Sequence, residues 1–569
     1  MPGPVIGFGL KRRRVPAGAP DMVLLGGKVV TLDGSDRIAE AIAIRDGIIQ
    51  SVGATEEIKA LAGPQTTVLD LRGRTVIPGL IDSHCHLTSS ARSASRYVDA
   101  RVPPNRSIQD VLHGIAERAR ITPPGEWIIA HGCQFGSRKF IEQRYPTRAE
   151  LDDVTREHPV LVLDARHVYR LNTLGCDRLG MKRGVPWDEA GGHAEFDEET
   201  GEPLGVLHEG FTVFPDRVVP YADVKHYMRD VIGPLWVGRG FTSTCSYATT
   251  NELRACAELA REGALPLRVT SHIHIGATRT AGIDAAVALG MISGFGDDWM
   301  RIGGAKVFID GVLMSLSSAM REPYFEKGDG TDRGLLLVDL DRAKELARRM
   351  HDNGIQISFH ATGDKAQEMA LDAIEHALAL NPRENHRHRI EHFGCDAGAA
   401  DLRQRAKALG IVPNVTAGWL YTYGDYVTPH LGPDRAKDFM ALRSIHDAGL
   451  NPCHSSDQTG TDWLTLDPFF SMWCCVTRQT FEGRQLHPEE AITVKQALRM
   501  WTVNAAWANF EDDIKGSLEP GKLADLTVCS ADILTIPEHR LKDVKAEMTI
   551  IGGRLAHGPT PEGVGNIRG

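Results

Sequence analysis

The sequence predicts an α/β fold: a (β/α)8 TIM-like barrel, a small β-sandwich domain formed from both chain ends, and an insertion after the first barrel strand. Three observations carry this expectation. Short apolar strand candidates alternate with helix-like stretches through the middle of the chain, the pattern of a parallel sheet with crossover helices. Eight such strands can be counted, and eight βα units close into a barrel. Glycine-turned segments rich in Val and Ile lie at both ends, where neither end makes a stable sheet alone.

Taken in order, residues 1–20 carry a basic cluster from Lys11 to Arg14 and no apolar run of signal-peptide type, so they read as a solvated, disordered arm. MVLLGGKVVTLD, AIAIRDGIIQSVG and TVLDLRGRTVIPG give short strands within residues 21–78. KLADLTVCSAD and AEMTIIGGRLAH repeat the pattern within residues 512–569. The two ends are expected to meet in one β domain, with residues 79–511 inserted between them as the barrel. Its strands are expected around Leu80 to His84, Thr242 to Ser246, Leu267 to His274, Ile302 to Ile309, Ile355 to His360, His388 to His392, Ile411 to Val415 and Asn451 to Ser456. LDRAKELARRMHDNG and DKAQEMALDAIEHALAL supply helices between them. Residues 88–225 are too many for one crossover. They are expected to fold over the barrel mouth, with strands of their own at EWIIAHG and PVLVLDA.

Composition narrows the function classes. The formal net charge of −10 argues against nucleic acid, which wants a basic surface. No apolar run reaches the ~20 residues of a membrane span. Ten cysteines show no framework spacing and read as reduced thiols of a cytoplasmic protein. A small-molecule substrate is the expected partner, and a homodimer is in keeping with a barrel of this size.

The chemistry gathers at strand ends. In IPGLIDSHCHL, His84 and His86 are two apart on an expected strand and share a face. Two imidazoles there form half of a metal site, and Asp82, of the same parity, is a candidate to orient a ligand. In IGGAKVFIDG, Lys306 sits among apolar neighbours, where burial favours the neutral amine. Such an amine can take up carbon dioxide as a carbamate that bridges two ions; a snorkelling lysine is the alternative. Asp310 shares its parity and is expected to contact substrate or hold the loop. His360 ends ISFH and His392 ends RIEH, both ligand candidates or core histidines. Glu391, of opposite parity to His392, is expected to point away. Asp457 in NPCHSSDQ is placed to bind metal and move a proton, or to cap a helix. Singly these signals are weak. Together they fall at the ends of strands one, four, five, six and eight, which a barrel brings to one mouth.

The order H-x-H, Lys, His, His, Asp resembles the binuclear amidohydrolases. KVFIDG with its later serine, HATGDKA, RIEHF and the late Ser-Ser-Asp look like the branch of that superfamily that includes N-substituted formamide deformylase. ARHVYRLNTLG, GEPLGVLHEG and GSLEPGKLADLTV look like that branch too, so the resemblance covers about residues 21 to 557. One departure is HSSDQ, where Gly-Ser-Asp is more usual, a change at the floor of the site. The resemblance implies His84, His86 and Asp457 on one divalent ion, His360 and His392 on a second, and carboxylated Lys306 between them. It also implies a substrate contact for His167. Zinc is the first expectation, and the ligands would also accept manganese, iron or cobalt. Trp419, Tyr421, Tyr423 and Trp463 follow the last two strands and either line an apolar substrate pocket or pack under the insertion.

The expected reaction is hydrolysis of a C–N amide bond, of N-acyl or N-formyl amine type, with Asp457 carrying the proton. A cyclic amide, carbamate or ester would suit the same chemistry. A mononuclear deaminase and a non-enzymatic barrel scaffold are the rival classes.

Overall fold

All eight expected barrel strands are present in the computed structural model, which describes residues 9–133, 136–164, 168–183, 193–208, 210, 213, 215, 219–274, 281–325, 330–459 and 462–559. They are β1 (Leu80–Cys85), β2 (Phe241–Ala248), β3 (Arg268–His274), β4 (Met300–Phe308), β5 (Gln356–His360), β6 (Arg389–Glu391), β7 (Val412–Val415) and β8 (Cys453–His454). Each pairs in parallel with the next, from β1 to β8. The final strand is only two residues long. Closure onto β1 is made beyond it, where the Asp457 amide donates to the His84 carbonyl and the His86 amide to the Gln458 carbonyl, each at 2.9 Å.

The helices between strands form because apolar positions recur at helical spacing. Leu340–Asp352 is capped by Asp339, whose side chain accepts from the Arg342 amide at 2.7 Å. It buries Ala343, Leu346, Ala347 and Met350. Together with Asp364–Leu380 it shields β5 from solvent, and the facing side chains join one large apolar core.

The chain ends share a two-sheet domain. One sheet holds Met22–Leu25, Ala41–Arg45, Ile48–Gly53 and Thr67–Asp70. The other combines Lys28–Val30, Ile38–Ala39 and Thr75–Pro78 from the N-terminal side with Leu526–Cys529, Ala546–Ile551 and Arg554–His557 from the C-terminal side. The seam between the two ends is antiparallel, with Leu526 opposite Pro78 and Cys529 opposite Thr75. Leu24, Ile42 and Leu69 of one sheet share a buried cluster with Val76, Leu526 and Ile550 of the other.

The N-terminal arm, within its described part, is largely exposed and makes surface contacts with the rest of the chain. The Arg13 amide donates to the Gly521 carbonyl at 3.1 Å. Arg12 pairs with Glu519 at 2.7 Å and Arg13 with Asp298 at 3.0 Å. Arg12 and Arg13 of the basic cluster thus pair with carboxylates on the β domain and on the barrel, while Lys11 to Arg14 all stay exposed.

The insertion builds its own six-stranded mixed sheet from residues 98–208. EWIIAHG and PVLVLDA supply its parallel strands Ile128–His131 and Val160–Asp164. It lies against elements that follow the barrel strands. Ser93, on the helix after β1, bonds His131 Nδ1 at 2.8 Å. The Arg138 guanidinium sits 5.0 Å from the Tyr426 ring, and Lys139 Nζ 5.1 Å from that of Phe481. All ten cysteines are free and buried. No helix among the described residues is long and apolar enough to cross a membrane.

Candidate metal centre

His84 is the hub of the site. It is fully buried at the end of β1, and each ring nitrogen has a distinct neighbour. Nδ1 lies 2.9 Å from Glu391 Oε2. Nε2 lies 2.8 Å from Lys306 Nζ and 3.3 Å from Asp457 Oδ1. An ionised carboxylate only accepts, so Nδ1 carries the proton and Nε2 turns its lone pair into the site. Burial, then the neighbouring Lys306, lowers the His84 pKa to about 3, which keeps the ring neutral. A neutral histidine that gives its far N–H to a carboxylate is the arrangement found at metal-ligating histidines.

The other residues close around it. His86 Nε2 is 3.6 Å from Asp457 Oδ1. The His392 ring lies 4.9 Å from His84 and 4.8 Å from His360 between centroids. His84, His392 and Asp457 each present a ligand atom within 4.8 Å of the others. Burial drives the Lys306 pKa down to about 8, partly offset by Asp457 and Glu391, so a fraction of the amine is neutral near neutral pH. His360 donates from Nε2 to the Gly311 carbonyl at 3.0 Å, which fixes its tautomer.

These residues fit a divalent cation. His392 is 1% exposed, and neither of its ring nitrogens has a hydrogen-bond partner among the described residues. A buried imidazole normally finds at least one, and a cation would satisfy one nitrogen directly. The backbone carries strain in the same places: His392 has φ 65° and Asp457 φ 45°. Left-handed conformations cost a residue with a side chain about 1–3 kcal/mol each and cluster at functional sites.

Glu391 departs from the sequence expectation. It faces into the barrel and bonds His84, because β6 ends at Glu391 and the left-handed turn at His392 breaks the strand alternation. Both consecutive side chains therefore reach the site. Burial alone would raise the Glu391 carboxyl, but Arg389, the His84 N–H and Lys306 together outweigh it and hold the pKa well below the usual range. Arg389 donates to Glu391 Oε1 at 2.8 Å, to the Ser83 carbonyl at 2.7 Å and to Asn509 at 2.9 Å. Ser358 and Asn414 also donate to Glu391, at 2.7 and 2.5 Å. The alternation Arg-x-Glu on one strand is the signal that could have revealed this buried pair. Tyr247 of β2 was also missed; its ring is 4.2 Å from that of His84 and 4.3 Å from Lys306 Nζ.

The remaining candidates divide. Asp82 does not touch an imidazole ring. It accepts from the Ser456 amide at 2.9 Å, the Ser456 hydroxyl at 2.6 Å and Trp236 Nε1 at 2.9 Å, and so fixes the turn that carries Asp457. Asp310 is wholly buried and accepts from the amides of Ala319, Thr362 and Gly363 at 2.9–3.0 Å, which makes it an organiser of the loops after β4 and β5. Trp419 stacks on His392 with centroids 4.8 Å apart, and Phe308 stacks on His360 at 4.5 Å. Tyr421 instead packs edge-on against Phe470, Trp473 and Phe481. Tyr423 donates to Asp396 at 2.9 Å, and Trp463 packs on the main core. Ser455, the departure in HSSDQ, bonds the Thr416 hydroxyl at 3.0 Å between β7 and β8. His167 lies outside the described residues.

The chain is similar to known proteins along nearly its whole length. The chain is 30% identical to the N-substituted formamide deformylase of Arthrobacter pascens over 94% of its own length and 98% of that protein's. It is 29% identical to the protein LONG AFTER FAR-RED 3 of Arabidopsis thaliana, over 96% and 93% of the two chains. An uncharacterized metal-dependent hydrolase from Pyrococcus horikoshii shares the fold with a TM-score of 0.72 at 23% identity, covering 91% of this chain and 99% of that one. The model of the amidohydrolase family matches residues 67–557. This chain therefore belongs to the amidohydrolase family, as a metal-dependent hydrolase of that superfamily.

Proposed function

We propose that the protein hydrolyses the C–N bond of a linear amide, of N-acyl or N-formyl amine type, at a centre of two divalent ions. The observation that carries this reading is the convergence of His84, His86, Lys306, His392 and Asp457 on one buried point at the strand ends. His84, His86 and Asp457 would hold one ion, and His360 and His392 the second, with Lys306 as its carbamate between them. Zinc suits the imidazole-rich set. Bound ions would supply Lewis-acid polarisation of the scissile carbonyl and a water acidified to a pKa of ~7 in the case of zinc.

The chain's own groups do the rest. Asp457 Oδ1, beside the imidazoles of His84 and His86, accepts the proton of the attacking water and returns it to the leaving nitrogen. Glu391 holds His84 in the tautomer that faces the ion. The rings of Trp419 and Phe308, stacked on His392 and His360, limit water around the reacting carbonyl. The 30% identity to a formamide deformylase along nearly the whole chain supports an acyclic amide over a ring.

A single-ion centre is the second reading, favoured by the compactness of the His84, His392 and Asp457 group. Elemental analysis of protein purified without chelators, beside Lys306→Ala, separates the two. Two ions per chain, falling sharply in the variant, support the bridged centre, and hydrolysis of N-formyl amines in a library of amides supports the substrate class. One ion, indifferent to Lys306→Ala, selects the single-ion reading. No ion after supplementation with zinc or manganese and bicarbonate overturns both.

A further inference from the structure

Lys306 should not face the site on simple alternation. Thr270 of β3 and Arg301 of β4 are register partners, and both reach the carboxylate of Glu511 inside the barrel, at 3.3 and 3.8 Å. From there, strict alternation would turn Gly303 and Ala305 inward and Lys306 outward. The register changes on the way. Ser271 is opposite Ile302, but Ile273 is opposite Ala305. β3 advances two residues while β4 advances three, so β4 carries one extra residue at Gly304. Beyond it, Ala305 and Val307 join the apolar layer outside the barrel, and Lys306 points in, with Nζ 2.8 Å from His84 Nε2. Bulges of this kind are rare between parallel strands and re-aim side chains next to active sites.

Two glycines permit the bulge, and each is required by a different neighbour. A Cβ on Gly304 would lie 2.3 Å from the Gln356 carbonyl oxygen, on the backbone of β5. A Cβ on Gly303 would lie 2.4 Å from the ring of His272 on β3 and 2.8 Å from Thr270 Cγ2 on the same strand. Contacts that close are not tolerated, so something must move. His272 is fully buried, its ring lies 5.2 Å from Tyr247, and neither of its nitrogens has a hydrogen-bond partner among the described residues. Burial lowers its pKa well below the usual value. It is a neutral wedge that fills the space beside Gly303.

We propose that Gly303 and Gly304 form a steric gauge that turns Lys306 into the barrel and sets the depth of its amine beside His84, with His272 the neighbour that requires residue 303 to lack a side chain. Both glycines are positioning residues and act through Lys306. The consequence for ion binding rests on the reading of Lys306 given above; the direction of the side chain does not.

The experiment compares Gly304→Ala, Gly303→Ala, His272→Ala and the double variant Gly303→Ala/His272→Ala with wild type and Lys306→Ala. Ions per chain are measured by elemental analysis, and folding by circular dichroism. The Lys306 Nζ position is taken from crystal structures. Gly304→Ala and Gly303→Ala are expected to stay folded, to turn Nζ away from His84 and to fall to the ion content of Lys306→Ala. His272→Ala alone is expected to keep the wild-type content. The double variant is expected to regain most of it, because the closest clash at residue 303 is with that ring, and only the lesser one with the Thr270 methyl remains. Single-glycine variants with Nζ still beside His84, or a double variant no better than Gly303→Ala, overturn the proposal. If the single variants do not fold, the double variant decides: folded with Nζ beside His84 supports the gauge, and unfolded or with Nζ turned away overturns it. If Lys306→Ala binds as many ions as wild type, the bridging reading fails by itself, and the Nζ position still decides the gauge.

Discussion

At the residue scale, a buried ion pair is a costly way to fill a barrel, since apolar side chains of similar volume are often as stable or more so. Arg389 and Glu391 are both fully buried, and their geometry gives them a task. Glu391 takes the His84 N–H, and Arg389 holds both Glu391 and the backbone at Ser83. Glu391→Gln keeps the size but loses the charge opposite Arg389 and the imidazole. Its affinity for zinc, measured by competition with a chromophoric chelator, is expected to fall ~10–100-fold, the usual effect of altering a partner behind a ligand. An unchanged affinity would show that His84 is oriented without it. This residue was legible in the sequence only in part. Strand alternation was applied to His392 when it belonged to Glu391, because a left-handed residue at a strand end is set by the loop that follows it and not by periodicity.

At the element scale, side chains reinforce the backbone closure of the barrel, because β8 offers only two residues to its neighbours. Asp82 gathers Ser456 and Trp236 across that gap. Asp82→Ala would leave these buried donors unpaired, at about 1–3 kcal/mol for each unsatisfied group. Urea unfolding is expected to register a loss of that size, and a loss of only a few tenths would mean that closure rests on the backbone bonds at Asp457 and His86. The opposite end of the barrel has a second side-chain device. His351 donates from Nε2 to the Asn381 carbonyl at 2.7 Å and accepts at Nδ1 from His388 Nε2 at 2.9 Å. His386 donates to the Leu409 carbonyl and accepts from the His388 amide, at 2.8 and 2.9 Å. Every lone pair in this chain of three is used, so protonation breaks it. Burial lowers all three pKa values, that of His386 to about 4. The folded state favours the neutral rings. Their contribution is complete above the unfolded value near 6.5 and is lost as pH falls from there toward 4. The urea midpoint is expected to drop between pH 7 and pH 5, with a smaller drop in His388→Gln, which cannot be protonated.

At the scale of the whole molecule, two arginines tie the chain ends to the barrel. Arg268, at the start of β3, pairs with Asp525 and with Asp298, each at 2.9 Å, and Asp298 also holds Arg13 of the N-terminal arm. Arg268→Ala strands the buried carboxylate of Asp525, and removing one partner of a buried pair costs about 3–5 kcal/mol. A lower Tm with the ion content unchanged is the expected result; lost ions at unchanged Tm would place the role of Arg268 at the metal centre instead. The order of the segments made this architecture readable. Strand-like ends that cannot fold alone, with a βα alternation between them, leave few arrangements. The surface pairs of Arg12 and Arg13 are not readable from the chain, because Glu519 and Asp298 become partners only once the fold brings them near.

The sequence by itself determined the barrel, the β domain, the insertion and the convergence of His84, His86, Lys306, His360, His392 and Asp457 at one mouth. These follow from short-range periodicity and from the rule that barrel strands end together. The tertiary structure alone decided which way several of these side chains turn. The extra residue at Gly304 brings Lys306 inward, and the left-handed turns at His392 and Asp457 bring in groups that alternation would leave outside. Ser456 and Glu391 found their partners only when β8 and β6 came round to β1. Periodicity is local, whereas a bulge or a strained turn is held by contacts with strands that are distant in the sequence. That is why the ligand types could be read from the chain and their aim could not.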